Sequence, residues 1–137
     1  MFMQSAIMPG KISSVDYKNG CADVVFDGMD GNVKAALPFL SFEYSMPQIG
    51  DMVLVAFQQY KNREQGFIIG RYYNSSNIPP EGLGKGDYYK RFSENTFLKY
   101  DAKNDTLSVT VGGININADI KSGILTLSAK KVLISEG

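Results

Sequence analysis

The chain has 137 residues, 44% of them apolar, and its 14 basic and 14 acidic side chains cancel. That is enough for one ordinary domain or a small domain with an appendage, and too apolar for a disordered chain. A net charge of zero excludes the strong field that would draw in nucleic acid or an anionic membrane.

The start, Met1-Phe2-Met3-Gln4, lacks a basic segment followed by a long apolar stretch, and the longest clearly apolar run, Met52 to Phe57, is too short to cross a bilayer. The sequence therefore predicts a soluble chain made in the cytoplasm. Residues 10–17 predict a first strand that ends at Asn19-Gly20, a strong hairpin signal, and Cys21 to Asp27 a second. Cys21 is the single cysteine, so no internal disulfide forms, and it reads as a small strand residue. Asp27-Gly28-Met29-Asp30-Gly31 predicts a turn, since it lacks the distal Glu and ligand ladder of a calcium loop. Val33 to Leu37 predicts a third strand.

Pro38 to Ile49 is apolar but punctuated by Pro38 and Pro47, which predicts a packed connection. Gly50-Asp51 then introduces Met52 to Phe57, followed by a polar hairpin tip at Gln58 to Gln65 and a fifth strand at Gly66 to Tyr73. A strand apolar on both faces is covered on both faces. Five short strands with an irregular link between the third and fourth predict a five-stranded Greek-key barrel of the oligonucleotide/oligosaccharide-binding (OB) type over residues 1–78. Val53, Val55, Phe57, Phe67 and Ile69 are assigned to barrel and collar packing. Asn74 to Gly86, rich in Asn, Ser, Pro and Gly, reads as linker, with residues 79–94 as linker and transition.

Residues 95–137 show a period of two and no helical period. After Thr106 to Val111 and Gly112-Gly113, Ile114, Ile116, Ala118 and Ile120 alternate with Asn115, Asn117 and Asp119. Leu125, Leu127 and Ala129 take over after Lys121-Ser122-Gly123, and Val132 and Ile134 after Lys130-Lys131. A meander of such short strands is marginal alone in water, so the pattern predicts a partner.

The chain contains no histidine, which removes the commonest general base and most transition-metal sites, and one cysteine makes no zinc cluster. Asp23 with Asp27, and Glu43 with Asp51, are carboxylate pairs in strands or turns and read as surface groups. Gly82-Leu83-Gly84-Lys85-Gly86 lacks the Lys-Ser/Thr ending and flanking elements of a phosphate loop. The expectation is a protein without catalytic residues, cofactor or metal, and not an enzyme.

Gly50-Asp51 before an apolar strand ending in Phe57, then Gly66-Phe67-Ile68-Ile69-Gly70 running into Tyr72-Tyr73-Asn74 and Ile78-Pro79-Pro80, resembles the closing strands of the N-terminal OB domain in phage baseplate assembly protein V. The same domain recurs in spike proteins of contractile-tail phages, tailocins and type VI secretion systems. Thr96-Phe97-Leu98-Lys99-Tyr100-Asp101 resembles the opening of that family's C-terminal segment, and the likeness covers nearly the whole chain.

The resemblance implies an all-β fold, an OB-type barrel followed by an intertwined trimeric β-helix. It implies a homotrimer whose barrels form a collar and whose tails form a rigid, membrane-puncturing spike. Ile114, Ile116, Ile120, Leu125, Leu127, Val132 and Ile134 would form the trimer core. The implied partners are baseplate hub or central tube proteins and a separate cone-like tip cap, with membrane contact only on injection. Assembly would occur in the bacterial cytoplasm and the final location would be the baseplate of a virion or phage-tail-like particle. Many family members end in a His-X-His iron-binding tip, which a chain without histidine lacks.

The alternative is an OB module for single-stranded nucleic acid or carbohydrate, with Tyr17, Phe42, Tyr44, Tyr60 and Tyr72 as stacking platforms. It also needs a basic groove, and Lys18, Lys34, Lys61 and Arg63 are too few and too balanced by acids to supply one. A third reading is a different β-rich structural protein, such as a tail-fibre or capsid accessory domain.

Overall fold

A computed structural model describes residues 4–27, 31–60 and 63–137, of which 4, 5, 59, 60 and 63 are described by their backbone alone. The fold is all-β, and the described residues contain no α-helix. The chain divides into two compact units, Met1–Ile78 and Pro79–Gly137.

The first unit holds β1 (Gln4–Asp16), β2 (Cys21–Phe26), β3 (Asn32–Pro38), β4 (Met52–Tyr60) and β5 (Arg63–Arg71), in the sheet order β3-β2-β1-β4-β5. Strand β1 begins well before the predicted residue 10, because its first half pairs with β4 (Gln4 with Gln59 through Lys11 with Met52). Its second half pairs with β2, and Lys11 is the residue shared by both ladders. Pro9 lies in the first half, where β1 has a neighbour on one side only, the setting in which strands accept proline.

Bulges between Ile12 and Ser14, Ala22 and Val24, and Leu54 and Val55 curl this sheet. Its two edges then meet: Phe39, just past β3, forms a parallel bridge with Ile68. A 2.8 Å ion pair from Lys34 Nζ to Glu64 Oε1 spans the same gap. The predicted tip at Gln58–Gln65 is mostly strand, and what remains of it, residues 61–62, lies outside the described residues, as does most of the predicted Asp27–Gly31 turn.

Inside the curl sit Ile12, Ala22, Val24, Phe26, Leu37, Val53, Val55 and Ile68, all buried. The Phe26 and Phe57 rings meet edge to face, with centroids 5.2 Å apart. Burying each large side chain contributes roughly 1.5–3 kcal/mol. A Cβ at Gly10 would lie 2.4 Å from Val24 Cγ1 and 2.8 Å from Phe26 Cε1, so only glycine lets β1 cross this close to the core. The irregular link to β4 is pinned rather than loose. Pro47 is buried, Gly50 N–H donates to the Ile12 carbonyl at 2.8 Å, and Ile12 N–H donates to the Asp51 carbonyl at 2.9 Å.

Asp23 ties β1, β2 and β3 together. Its carboxylate accepts from the Ala36 N–H at 2.8 Å and from the Ser14 hydroxyl at 2.7 Å. The first bond helps hold Ala36 in the left-handed region (φ 53). Both bonds favour the ionised form, the Ala36 N–H most, and lower the Asp23 pKa below 3.8. A lowered folded pKa means stability that is present above the unfolded value and lost as pH falls through the folded one. Asp23→Asn is therefore expected to flatten the acid limb of the first unit's stability curve below about pH 4. Denaturant titrations of both proteins at stepped pH check this; parallel acid limbs would refute it.

The second unit is an antiparallel meander, β6 (Tyr88–Ser93), β7 (Thr96–Asp101), β8 (Thr106–Val111), β9 (Ile114–Asp119) and β10 (Ile124–Ser128), each strand paired with its neighbour in sequence. Strand β6 falls inside the stretch predicted as linker and transition, so the sheet starts at Tyr88 rather than residue 95. An intertwined β-helix is not what a single chain forms: its five strands pair among themselves.

The reversals are set by local chemistry. Asp87 accepts from the Gly84 N–H and the Ala102 N–H, both at 2.8 Å, and so fastens the entry loop to the β7–β8 turn. Asp119 accepts from Lys121 N–H at 3.0 Å, and Gly112 and Gly123 supply positive φ. Residues 131–137 form no strand, so the predicted continuation through Val132 and Ile134 has no ladder partner among the described residues.

Candidate assembly surface

Residues that face each other across an antiparallel ladder project to the same side. The registers therefore sort the second sheet into rows. One row runs Lys90, Leu98, Val109, Ile116, Leu127; a second runs Tyr88, Tyr100, Leu107, Ala118, Leu125; a third runs Ser93, Thr96, Val111, Ile114, so the face is apolar from β7 to β10 and carries Lys90 and Ser93 on β6. All of these lie on one face. The other face carries Lys99, Ser108, Asn117 and Thr126 in one row, Phe97, Thr110, Asn115 and Ser128 in the next, and Asp101, Thr106, Asp119 and Ile124 in a third.

Within the second unit no described element packs on the apolar face. Every residue of the buried core belongs to the first unit. Ile116 is 40% exposed, Leu127 51% and Leu125 64%. On the polar face Thr110 Oγ1 donates to Asn115 Oδ1 at 2.9 Å, and Tyr89 stacks on Phe97 at 5.4 Å. At the border, the Tyr100 hydroxyl donates to Asp105 at 2.5 Å, and that bond, more than desolvation and the nearby carboxylates, raises its pKa.

Of the residues assigned to a trimer core, Ile114, Ile116, Leu125 and Leu127 share the apolar face. Ile120 does not extend that face as the alternation suggested. It sits in the β9–β10 turn, where its N–H donates to the Asp105 carbonyl at 3.2 Å. Val132 and Ile134 lie beyond the last strand, 50% and 94% exposed. Leu98, Leu107, Val109 and Val111 complete the face although they were not singled out. Their own alternation within Thr96–Tyr100 and Thr106–Val111 carried the signal.

In the first unit Val53 and Val55 are fully buried and Phe57 packs against them. Phe67 and Ile69 are not in the barrel core. The bulge pairs Val55 with Ile68 and Leu54 with Gly70, so Ile68 points inward and Ile69 is the extra residue. Phe67 instead joins Ile7 and Ala56 in an exposed outer row. Of the proposed stacking residues, Tyr17, Phe42 and Tyr44 are exposed, and the Tyr44 hydroxyl donates to the Tyr17 carbonyl at 3.2 Å. Tyr72 is half-buried, and Lys34 is engaged by Glu64. The side chains of Tyr60, Lys61 and Arg63 lie outside the described residues. Among the described residues no group of three or more potential metal ligands converges.

No protein-family model matches the chain, and no curated protein matches it.

Proposed function

We propose that this chain is a structural subunit of a contractile phage-tail-like baseplate, a homotrimer whose second unit forms the wall of a central spike and whose first unit forms an OB-type collar. The observation that carries this reading is the five-stranded sheet with one face that is mainly apolar from β7 to β10 and, among the described residues, no buried core in the second unit. Such a face, larger than the scattered apolar residues of an ordinary surface, marks an interaction site.

Strand length favours three copies. Six residues at about 3.3 Å make a wall about 20 Å wide, and a wall of a three-sided prism stands about 0.29 of its width, about 6 Å, from the axis, close to half the roughly 10 Å spacing of packed sheets. Three such walls fill their centre with the Leu98, Val109, Ile116 and Leu127 row and its neighbours. Four walls would stand about 10 Å from the axis and leave it empty. With the strands set across the axis, the polar reversals fall at the corners, and the Ser108, Asn117 and Thr126 row faces water. The result is a three-walled β-helix built of meanders.

The collar reading draws on the order β3-β2-β1-β4-β5, with a long central strand shared by two hairpins and a parallel bridge joining β3's end to β5, the connectivity of a small Greek-key barrel. The function is mechanical: a stiff, satisfied, cross-braced tip transmits sheath contraction to an envelope without covalent chemistry. Hub or tube proteins of the baseplate would hold the collar.

Mass measurement of the intact chain in solution tests the reading. Three copies are expected, and a monomer or dimer at micromolar concentration would overturn it. Labelled chains at the baseplate end of sheathed particles would separate a spike from a fibre.

A further inference from the structure

We infer that Asn19 is a site of spontaneous covalent modification, conversion to aspartate and isoaspartate, and that Asp16 is the positioning residue that slows it in the folded chain. The inference stands apart from the trimeric reading, because every residue it uses lies in one hairpin of the first unit or in the connection that touches it.

The chain builds one kind of four-residue reversal three times. Asp16-Tyr17-Lys18-Asn19-Gly20, Asp101-Ala102-Lys103-Asn104-Asp105 and Asp119-Ile120-Lys121-Ser122-Gly123 each run from an Asp that ends a strand, through a Lys, to a residue at positive φ (68, 51 and 70). Only the first sets an Asn before a Gly. The second has Asp105 after its Asn, and the third has Ser122 in place of the amide. The backbone nitrogen that follows an Asn can attack that residue's own side-chain amide. At this site Gly20 N bonds to Asn19 Cγ, the Cγ–Nδ2 bond breaks, and ammonia leaves with the proton of the attacking nitrogen, which closes a five-membered imide. Water then opens the ring at either carbonyl. One product is aspartate; the other is isoaspartate, whose backbone runs through the side chain and is one atom longer. Gly20 has no side chain to crowd the attacking nitrogen, whereas Asp105 sets one beside its own.

Asp16 holds both reacting groups back. Asn19 Nδ2 donates to Asp16 Oδ2 at 2.8 Å, the Asn19 N–H donates to Asp16 Oδ1 at 3.1 Å, and the Gly20 N–H donates to the Asp16 carbonyl at 3.0 Å. The leaving amide and the attacking nitrogen are each tied to Asp16, so both bonds must open before Gly20 N reaches Cγ. The bond from the Asn19 side chain, followed by that from its N–H, lowers the Asp16 pKa below 3.8, so the acceptor is a carboxylate at neutral pH. Asn19 is exposed, and water has access to it.

The product cannot rebuild these contacts. Either acid replaces the Nδ2 donor with a carboxylate beside the Asp16 carboxylate, and like charges repel. Isoaspartate also lengthens the backbone next to Gly20, whose carbonyl accepts the Phe39 N–H at 2.9 Å. Phe39 is the residue that bridges to Ile68 where the curled sheet closes. Modification at 19 therefore acts on that closure.

The test holds the full chain in warm, mildly alkaline buffer and follows residue 19 by peptide mass spectrometry with fragmentation that separates the two acids. Asp16→Ala, with its fold checked by circular dichroism, should form them about tenfold faster than the parent, the size expected on removing the two hydrogen bonds made by the carboxylate. If Asp16→Ala does not fold, Asp16→Ser, whose hydroxyl can accept only one of those bonds, takes its place. Asp101→Ala should modify residue 104 far more slowly than Asp16→Ala modifies residue 19, because Asp105 follows it. In the isoaspartate fraction of the aged parent, amide exchange at Phe39 should be faster. Equal rates in the parent and the folded Asp16 variants would overturn the role of Asp16. No acid at 19 in a folded variant, or Asn104 reacting as fast, would overturn the site, and unchanged Phe39 exchange would overturn its link to the closure.

Discussion

Ile116→Asp is expected to break the proposed trimer into monomers while leaving the first unit folded. Ile116 sits on the apolar face between Val109 and Leu127. In the proposed assembly three copies of residue 116 meet near the axis, so one substitution places three carboxylates in a space with no counter-charge. Removing an ion from water without a partner costs several kcal/mol each, more than the roughly 1.5–3 kcal/mol that each isoleucine contributes by burial. The neighbouring substitution Asn117→Asp adds the same charge on the polar face and should leave the mass unchanged. Light scattering on the three proteins decides it. A trimer that survives Ile116→Asp but not Asn117→Asp would mean that the sheet packs through its other face.

Phe26→Ala is expected to destabilise the first unit by about 3–5 kcal/mol, the range for emptying a fully buried aromatic site. Phe26 is fully buried and meets Phe57 edge to face. Phe67→Ala, on the outer row and 43% exposed, should cost much less, on the order of 1 kcal/mol or below. Urea denaturation of the first unit's transition measures both. Equal losses would contradict the inward setting of Ile68 and place Phe67 in the core.

The hairpin at Asn19-Gly20, the apolar strand from Met52 and the alternation after Gly113 were legible because each is a local pattern with a local cause. The first half of β1 was not. Gln4–Pro9 has no strong strand signature, and its partner β4 lies some 50 residues away along the chain, so only a long-range ladder reveals it. The inward residue of β5 was hidden for a related reason. Phe67 and Ile69 keep the right period, but the bulge opposite Leu54 and Val55 shifts the phase by one and turns Ile68 to the core. Ile120 continued the alternation on paper, yet Asp119 and Gly123 begin a reversal that takes it off the strand. The apolar face itself was readable, because period-two patterning survives in every strand from β7 to β10.

In the proposed assembly, a sheet finished only by its copies would make order in the second unit a matter of mass action. At dilutions where copies seldom meet, the meander holds only its own ladders and turns, with its apolar face wetted, and such a small sheet without a core is marginally stable. As the population rises, association and folding would become one equilibrium, and the apparent melting temperature should climb with protein concentration. The first unit, with its own core, would not share this dependence, so one chain would carry one melting transition fixed by sequence and another set by how many neighbours it has.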